Sequence, residues 1–466
     1  MVFSSVIFLC FFLPVVYIAF TAVRGIRAKN IILMLASILF YAYGEPVFVF
    51  VLLAVAFLHY IFVLLGEKYQ KLRTPLLVVL VLIDVFLLFS FKYCGFFTTV
   101  FNDIFNTSIP VTDVEMPIGI SFFTFQIMSY AVDAYKNKDL IQRKFTDLLL
   151  YISFFPQLIA GPIIKYSDVA QQIKYREITP DKQLEGFRRF IFGLAQKVLI
   201  SNSMAYIADS VFSWSDSEIT MPAAWLAAVA YSMQIYHDFC GYSNMAIGMG
   251  KIFGFDFMEN FNYPYTALSI TDFWKRWHIS LTTWFREYVY IPLGGNRKGK
   301  ARTCLNIFIV FLLTGLWHGA AFTFIVWGIY YAFFMIMERL EIIPVKKIKS
   351  KIIKHAYVIF VVFTGFVLFR TESLSRFGVF LKALFSFGTF AAPGSMKALS
   401  VLSPWFLFML AAAIVFSCPF VKNKLELNSD KKAVRTATNV VSVLLLVICM
   451  VFLITDSYNP FIYFNF

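Results

Sequence analysis

Apolar runs recur along the whole chain, separated by short polar segments. They fall at 3–23, 31–43, 46–66, 75–97, 116–134, 188–212, 222–240, 303–317, 320–337, 355–370, 402–419 and 437–455. A helix needs about 20 apolar residues to cross the hydrocarbon core, fewer where aromatic or long basic side chains end it. The pattern predicts an all-α polytopic membrane protein with roughly 11–12 spans in one membrane-embedded domain, 1–466. The run at 31–43 is short for a span.

Charge placement orients these runs. Basic clusters lie at 24–29, 68–73, 136–144, 165–189, 297–302, 346–354 and 422–435. The segments 98–115 and 213–221 hold no Lys or Arg but carry Asp103, Asp113, Glu115, Asp216 and Glu218. Alternating the spans from an outer N-terminus puts every basic cluster in the cytoplasm and both acidic loops outside. One segment breaks the alternation. The apolar stretch "FTDLLLYISFFPQLIAGPI", 145–163, is basic on both flanks and contains Pro156 and Gly161-Pro162. That fits a re-entrant segment whose irregular backbone is covered by protein.

Composition agrees: 60% of the 466 residues are hydrophobic and only 15% charged. Soluble domains carry about 25% charged residues. The N-terminal stretch lacks a basic leader and a small-residue cleavage site, so it is expected to be a retained span. The formal charge of +14 is what the positive-inside rule produces, and no nucleic-acid partner is implied. The six cysteines are scattered without a CxxC pair, so neither a disulfide framework nor a zinc site is expected. No internal repeat of the kind many transporters carry is visible.

Ionisable groups inside a membrane are costly and therefore functional candidates. His59 stands alone on an apolar run and reads as a buried structural residue. His355, beside Lys354, reads as solvated. His237 and Asp238 lead into a glycine-spaced segment, where helix packing and site lining are equally open. His318, in "FLLTGLWHGAAFTF", is the only ionisable group between Arg302 and Glu338. About 14 residues at 1.5 Å each place it roughly 20 Å into the bilayer. A buried neutral imidazole suits a general base, and a hydrogen bond between packed helices is the alternative.

The stretch "FWKRWHISLTTWFREYVYIPLGGNR", 273–297, can be wound as one helix capped by Ser269 or Thr271 and ended by Pro292. Trp274, Trp277, Leu281, Trp284 and Tyr288 then form one stripe, with Arg276, Ser280, Thr283 and Glu287 opposite. Lys275, His278, Thr282 and Arg286 form a third. An amphipathic helix with tryptophans at the membrane interface explains the first stripe but needs neither Glu287 nor His278.

These passages, together with "PIGISFFTFQIMSYAVDAY", "AGPIIKY", "DFCGYSNMAIGMGKIFGFDFMENFNYPY", "GLWHGAAF" and the terminal "NPFIYFNF", resemble the membrane-bound O-acyltransferase family. The bacterial branch that O-acetylates cell-surface polysaccharides is the nearest in look. The resemblance implies a ring of helices around a central tunnel or funnel, in a bacterial cytoplasmic membrane. It implies transfer of an acetyl group from a cytoplasmic thioester, such as acetyl-CoA, to hydroxyls of a polysaccharide outside. No permanently bound cofactor or metal is implied. Implied partners are membrane lipids, an extracytoplasmic SGNH-type acetyltransferase and an acyl-carrier protein.

The family's histidine maps to His318 as base, and its second polar residue to His278, which would position the acceptor or stabilise the oxyanion. Asp238, Tyr242, Asn244, Trp274, Arg276 and Trp317 are the matching candidates for lining the substrate. Lys275, Arg286, Arg297 and Lys298 are candidates for the donor's phosphates, although positive-inside topology explains them equally well. Three positions depart from the family pattern: Asn244 replaces a carboxylate, Glu287 replaces Asp, and Asn465 replaces Arg. D-alanyl transfer from a carrier protein to teichoic acid is the alternative within the family. A lipid or polysaccharide transporter, or a scaffold docking a secreted transferase, is the alternative outside it.

Overall fold

The computed structural model of the protein describes residues 2–111, 115–159, 161–390, 392–428, 431–455, 458–460 and 462. Asp113 and Asn465 lie outside the described residues. Every regular element among those described is helical. Contacts cluster in two units, one of residues up to Phe190 with Ser243–Met258, the other of Ile191–Tyr242 with Glu259–Ile462.

The first unit contains α1 (Phe8–Ala22), α2 (Ile26–Gly44), α3 (Val49–Lys68), α4 (Gln70–Phe105), α5 (Ile120–Lys136), α6 (Phe145–Ser153) and α7 (Tyr166–Lys174). α8 (Pro180–Phe212) and α9 (Met221–Ile252) contribute residues to both units. Phe12, Phe40 and Phe155 meet with ring centroids 5.3–5.6 Å apart. The 145–163 segment is broken, as its Pro and Gly suggest. α6 ends at Ser153, one further turn spans Phe155–Leu158, and the described side chains from Leu148 to Ile164 are buried. The amide freed by the break, Phe155 N–H, donates to Ser37 Oγ on α2 at 3.1 Å. Irregular backbone at membrane depth survives only with such partners.

His59 is not alone. Its Nε2 lies 3.2 Å from Asp84 Oδ2, and both side chains are fully buried. Breaking a buried pair by removing one partner is costly, about 3–5 kcal/mol, so this contact ties α3 to α4. Asp84 sits in a run dominated by Leu, Val and Phe, and its partner 25 residues away is not readable from spacing.

The second unit holds α10 (Ile270–Arg276), α11 (Ile279–Phe285), α12 (Gly299–His318), α13 (Phe322–Arg339), α14 (Lys351–Arg370), α15 (Leu374–Leu384), α16 (Pro404–Phe416) and α17 (Lys432–Thr455). α12 and α13 form a tight hairpin. A β-carbon on Gly315 would collide with the Phe324 carbonyl, and one on Gly328 with the Phe311 carbonyl. The two glycines let the backbones touch, and His318 closes α12 at the hairpin's turn.

Eight helices among the described residues are long and apolar enough to cross a membrane, or nine if Pro393–Ser400 and α16, bent by 79°, make one span. This is fewer than the expected 11–12, for stated reasons. α1 and α5 are short, and α9, at 32 residues, carries too many polar groups. α5 and α9 are almost wholly buried, so protein rather than lipid surrounds them and apolarity is not required. The run at 31–43 is extended by a turn and a half at its start, making the 19-residue α2.

Candidate active site

The 273–297 stretch is not one helix. α10 ends at Arg276, and His278 adopts φ 44°, ψ 55° before α11 starts at Ile279. Ser269 caps α10 by accepting from Asp272 N–H at 2.9 Å, as expected. The left-handed conformation costs a residue with a β-carbon about 1–2 kcal/mol. Asn260 holds it in place. Its carbonyl accepts from Ile279 N–H at 2.9 Å. Its Oδ1 accepts from Ser280 N–H at 3.3 Å and Ser280 Oγ–H at 2.8 Å. At about 0.5–1.5 kcal/mol net per bond, these contacts offset the strain.

The break reorders the stripes. A single helix would have carried His278 and Arg286 on one shoulder, but His278 is buried while Lys275 and Arg286 are exposed. Ser280, expected on the outer polar face, is buried as well. Trp274, Trp277 and Trp284 are 2–5% exposed. They frame the interior of the unit and do not ride at a membrane interface.

The same oxygen sets the chemistry of His278. Because Asn260 Oδ1 accepts from a backbone N–H, it faces His278 Nδ1, 3.2 Å away, as an acceptor. Nδ1 must therefore be the protonated nitrogen, which leaves Nε2 as a lone pair when the ring is neutral. Nε2 is buried and has no hydrogen-bond partner among the described residues. Burial pushes the imidazole down to about 3, so the ring is neutral at physiological pH.

The two histidines contact one indole. Trp317 lies 5.9 Å from the His278 ring and 5.0 Å from the His318 ring, centroid to centroid. Phe239 closes on His278 at 4.6 Å. His318, 3% exposed, is packed edge-on by Trp327 at 5.0 Å and Phe369 at 5.2 Å. Trp327 in turn touches Trp274 at 5.7 Å and Tyr331 at 5.1 Å. The indole N–H groups of Trp274 and Trp327 and the hydroxyl of Tyr331 are buried without a hydrogen-bond partner among the described residues. Buried donors are rarely left so unless something else satisfies them.

A cavity of about 760 Å³ opens beside this cluster. Trp274, Phe311 and Thr314 line it on the side of the aromatic cluster, and Lys275, Arg286, Arg339, Lys346, Lys347 and Lys354 supply cations. Asp272, Glu338 and Glu341 line it as well, so six cations face three carboxylates. Arg297 and Lys298 do not line the cavity and are exposed. The cations of the 339–354 segment were not singled out in the sequence, because their contribution depends on a loop folding back.

The remaining candidates separate. Arg276 is occupied by Asp272, at 2.9 Å, and by the Asn262 carbonyl, at 3.4 Å. Asp238 pairs with Lys197 at 2.8 Å, both 1% exposed, and its Oδ2 accepts from Ile462 N–H at 3.0 Å. Tyr242 is buried. Asn244 belongs to the first unit, where its Oδ1 accepts from Arg189 at 3.0 Å. A carboxylate there is replaced by a neutral acceptor for a guanidinium. His237 has Nε2 3.0 Å from the Ala413 carbonyl, a packing contact. His355 is exposed, as expected. All six cysteines are free thiols.

The model of the membrane-bound O-acyltransferase family matches residues 33–377, a range that includes Asn260, His278 and His318. The chain belongs to the membrane-bound O-acyltransferase family. It is therefore an O-acyltransferase and a multi-pass membrane protein. A probable alginate O-acetylase from Pseudomonas putida is 37% identical, with both chains covered in full. A peptidoglycan O-acetyltransferase from Helicobacter pylori is 32% identical, over all of this chain and 98% of that one. A teichoic acid D-alanyltransferase from Bacillus subtilis is also 32% identical, but over 47% of this O-acyltransferase and 58% of its own length. Asn260, Trp327 and Tyr331 were missed in the sequence. The spacing of 18 residues between Asn260 and His278 carries no helical or strand signal, and an aromatic residue in a span looks like core.

Proposed function

We propose that this enzyme transfers an acetyl group from a cytoplasmic thioester to a hydroxyl of an extracytoplasmic polysaccharide, directly or through a secreted SGNH-type transferase, across a bacterial cytoplasmic membrane. The observation that carries this reading is the pair of buried histidines that both contact Trp317, near a cavity whose lining carries more cations than carboxylates. The full-length likeness to an alginate O-acetylase and a peptidoglycan O-acetyltransferase supports acetyl as the group and a polysaccharide as the acceptor.

In this reading His318 takes the proton of the acceptor hydroxyl as its oxygen attacks the thioester carbonyl. The C–O bond forms, the C–S bond breaks, and the proton passes to the departing sulfur. General-base help of this kind is worth ~10²–10⁴-fold. His278 presents only an acceptor nitrogen, so it orients the acceptor hydroxyl; its one N–H is engaged by Asn260. Stabilising the oxyanion falls to donors, and the unpaired indole N–H groups of Trp274 and Trp327 and the Tyr331 hydroxyl are the ones at hand. Lys275 and Arg286, with Lys346, Lys347 and Lys354, would hold phosphates of CoA or of a carrier protein's pantetheine arm.

The test uses the full chain in membrane vesicles with isotope-labelled acetyl-CoA and a polysaccharide acceptor. Labelled ester on the polymer or on a secreted partner is the expected result. A transporter would move substrate without forming an acyl product. Transfer from a D-alanyl carrier protein and none from acetyl-CoA would favour the teichoic acid reading instead.

A further inference from the structure

A second cavity, of about 190 Å³, lies in the first unit between the start of α2, the start of α6 and the end of α7. Arg27, Lys144 and Lys174 line it together with Asp147. All three cations act on the Asp147 carboxylate through their charges, so they converge although they come from three elements. One carboxylate against three cations leaves a formal charge of +2 at the cavity.

All three side chains are exposed, as positive-inside residues are, but they border one cavity instead of being spread along the surface. Several other cations in this unit are matched. Arg143 pairs with Glu67 at 2.6 Å, Lys182 with Asp256 at 2.6 Å and Lys165 with Asp168 at 3.6 Å. Arg27, Lys144 and Lys174 have no ion pair with any described residue. The floor beneath them is built. Asn30, 6% exposed, donates to the Ile173 carbonyl at 2.8 Å and accepts from Arg176 at 2.7 Å.

We propose that this cavity binds the phosphate headgroup of an anionic phospholipid of the cytoplasmic leaflet. The feature that selects a lipid over a soluble anion is the surface leading away from the cations. Ile31, a lining residue, begins a stripe on α2 with Leu35 and Leu39, which are 41%, 52% and 67% exposed. Spaced by four, they run down one face, so an acyl chain lies along the helix while its phosphate sits among Arg27, Lys144 and Lys174. Basic pockets between helices on this side of a membrane take such headgroups, at about 1 kcal/mol per cation.

The full chain in detergent micelles, titrated with tetraoleoyl cardiolipin, dioleoyl phosphatidylglycerol or dioleoyl phosphatidylcholine and read by native mass spectrometry, tests this. The two anionic lipids are expected to bind at least ten-fold more tightly than phosphatidylcholine. Each cation is worth about five-fold, so combining Arg27→Gln, Lys144→Gln and Lys174→Gln lowers anionic-lipid binding about hundred-fold. Asp147→Asn raises it about five-fold, and this opposite sign keeps the test decisive if the triple variant does not fold. Lys300→Gln, Lys349→Gln and Lys351→Gln together leave it unchanged. Equal loss in that control set would overturn the proposal, because general surface charge would then suffice. Displacement of the lipid by equimolar inorganic phosphate would also overturn it, since the site would then recognise a soluble anion.

Discussion

Asn260 Oδ1 lies 3.2 Å from His278 Nδ1, and this contact decides both the backbone turn and the proton position of the imidazole. One acceptor oxygen serves Ser280 N–H, the Ser280 hydroxyl and the ring. Its loss therefore frees a strained turn and a tautomer together.

Asn260→Ala is expected to cost about 1–3 kcal/mol of stability, the penalty of unpaired buried donors, and to reduce kcat by at least ten-fold with KM for the donor nearly kept. Asn260→Asp keeps an acceptor and is expected to retain more activity than the alanine variant. Thermal unfolding and acetyl transfer on the same preparations check this. Equal activities for the two variants would remove the tautomer argument.

His318→Ala at normal expression is expected to lower transfer by ~10²–10⁴-fold, the range for a general base. Trp327→Phe removes one indole N–H while keeping an aromatic ring against His318. Losing one oxyanion donor costs up to ~10²–10³-fold in kcat, against little change in donor binding. A Trp327→Phe enzyme with unaltered kcat would exclude that indole from the transition state.

His278 should not contribute a titration near pH 6.5. Burial lowers its pKa to about 3, so the ring stays neutral from pH 8 down through pH 5. The linkage has a definite sign. Between 6.5 and about 3 the unfolded chain binds a proton that the folded chain does not, so folding stability is complete above 6.5 and falls as the pH drops through that window. His278→Gln, if folded, should show a shallower decline between pH 6.5 and 4 in chemical denaturation. A decline as steep as wild type would assign the acid sensitivity elsewhere.

Gly328→Val places a branched side chain against the Phe311 carbonyl. Overpacking of this kind costs about 1–3 kcal/mol, and it acts on the hairpin that carries His318. The expected result is a lower unfolding temperature with activity lost by more than the folded fraction explains.

Charge reversal at the cavity mouth separates donor binding from chemistry. Lys346→Glu with Lys347→Glu is expected to raise KM for acetyl-CoA several-fold while kcat changes little, because phosphate contacts hold the donor equally in ground and transition states. Single-turnover rates at saturating donor report the difference. A fall in kcat with KM unchanged would put these lysines outside the donor site.

Much of this protein is legible in its sequence. Period, charge alternation and the Pro and Gly of 145–163 located most helices and the broken segment, because lipid imposes a length and a polarity on whatever crosses it. His318 stood out because an isolated ionisable group in an apolar run is costly. The turn at His278 did not, because its cause is Asn260, eighteen residues upstream. Helical periodicity assumes that the phase continues, and one left-handed residue resets it. Arg276 and Asp238 stand among the candidates through the family resemblance, and their ion-pair partners Asp272 and Lys197 are found only in the fold.

The sequence by itself determined that the chain is a helical membrane protein and which family it belongs to. Those properties follow from local composition, since burying a backbone or a charge in lipid has a cost that depends little on the rest of the fold. Only the tertiary structure decided that both histidines meet at Trp317, that Asn260 makes His278 an acceptor, and which basic side chains gather at a cavity. Those are matters of distance between residues far apart in the chain. Hydrogen bonds and ring contacts act over a few ångströms, and only folding brings their partners within that range.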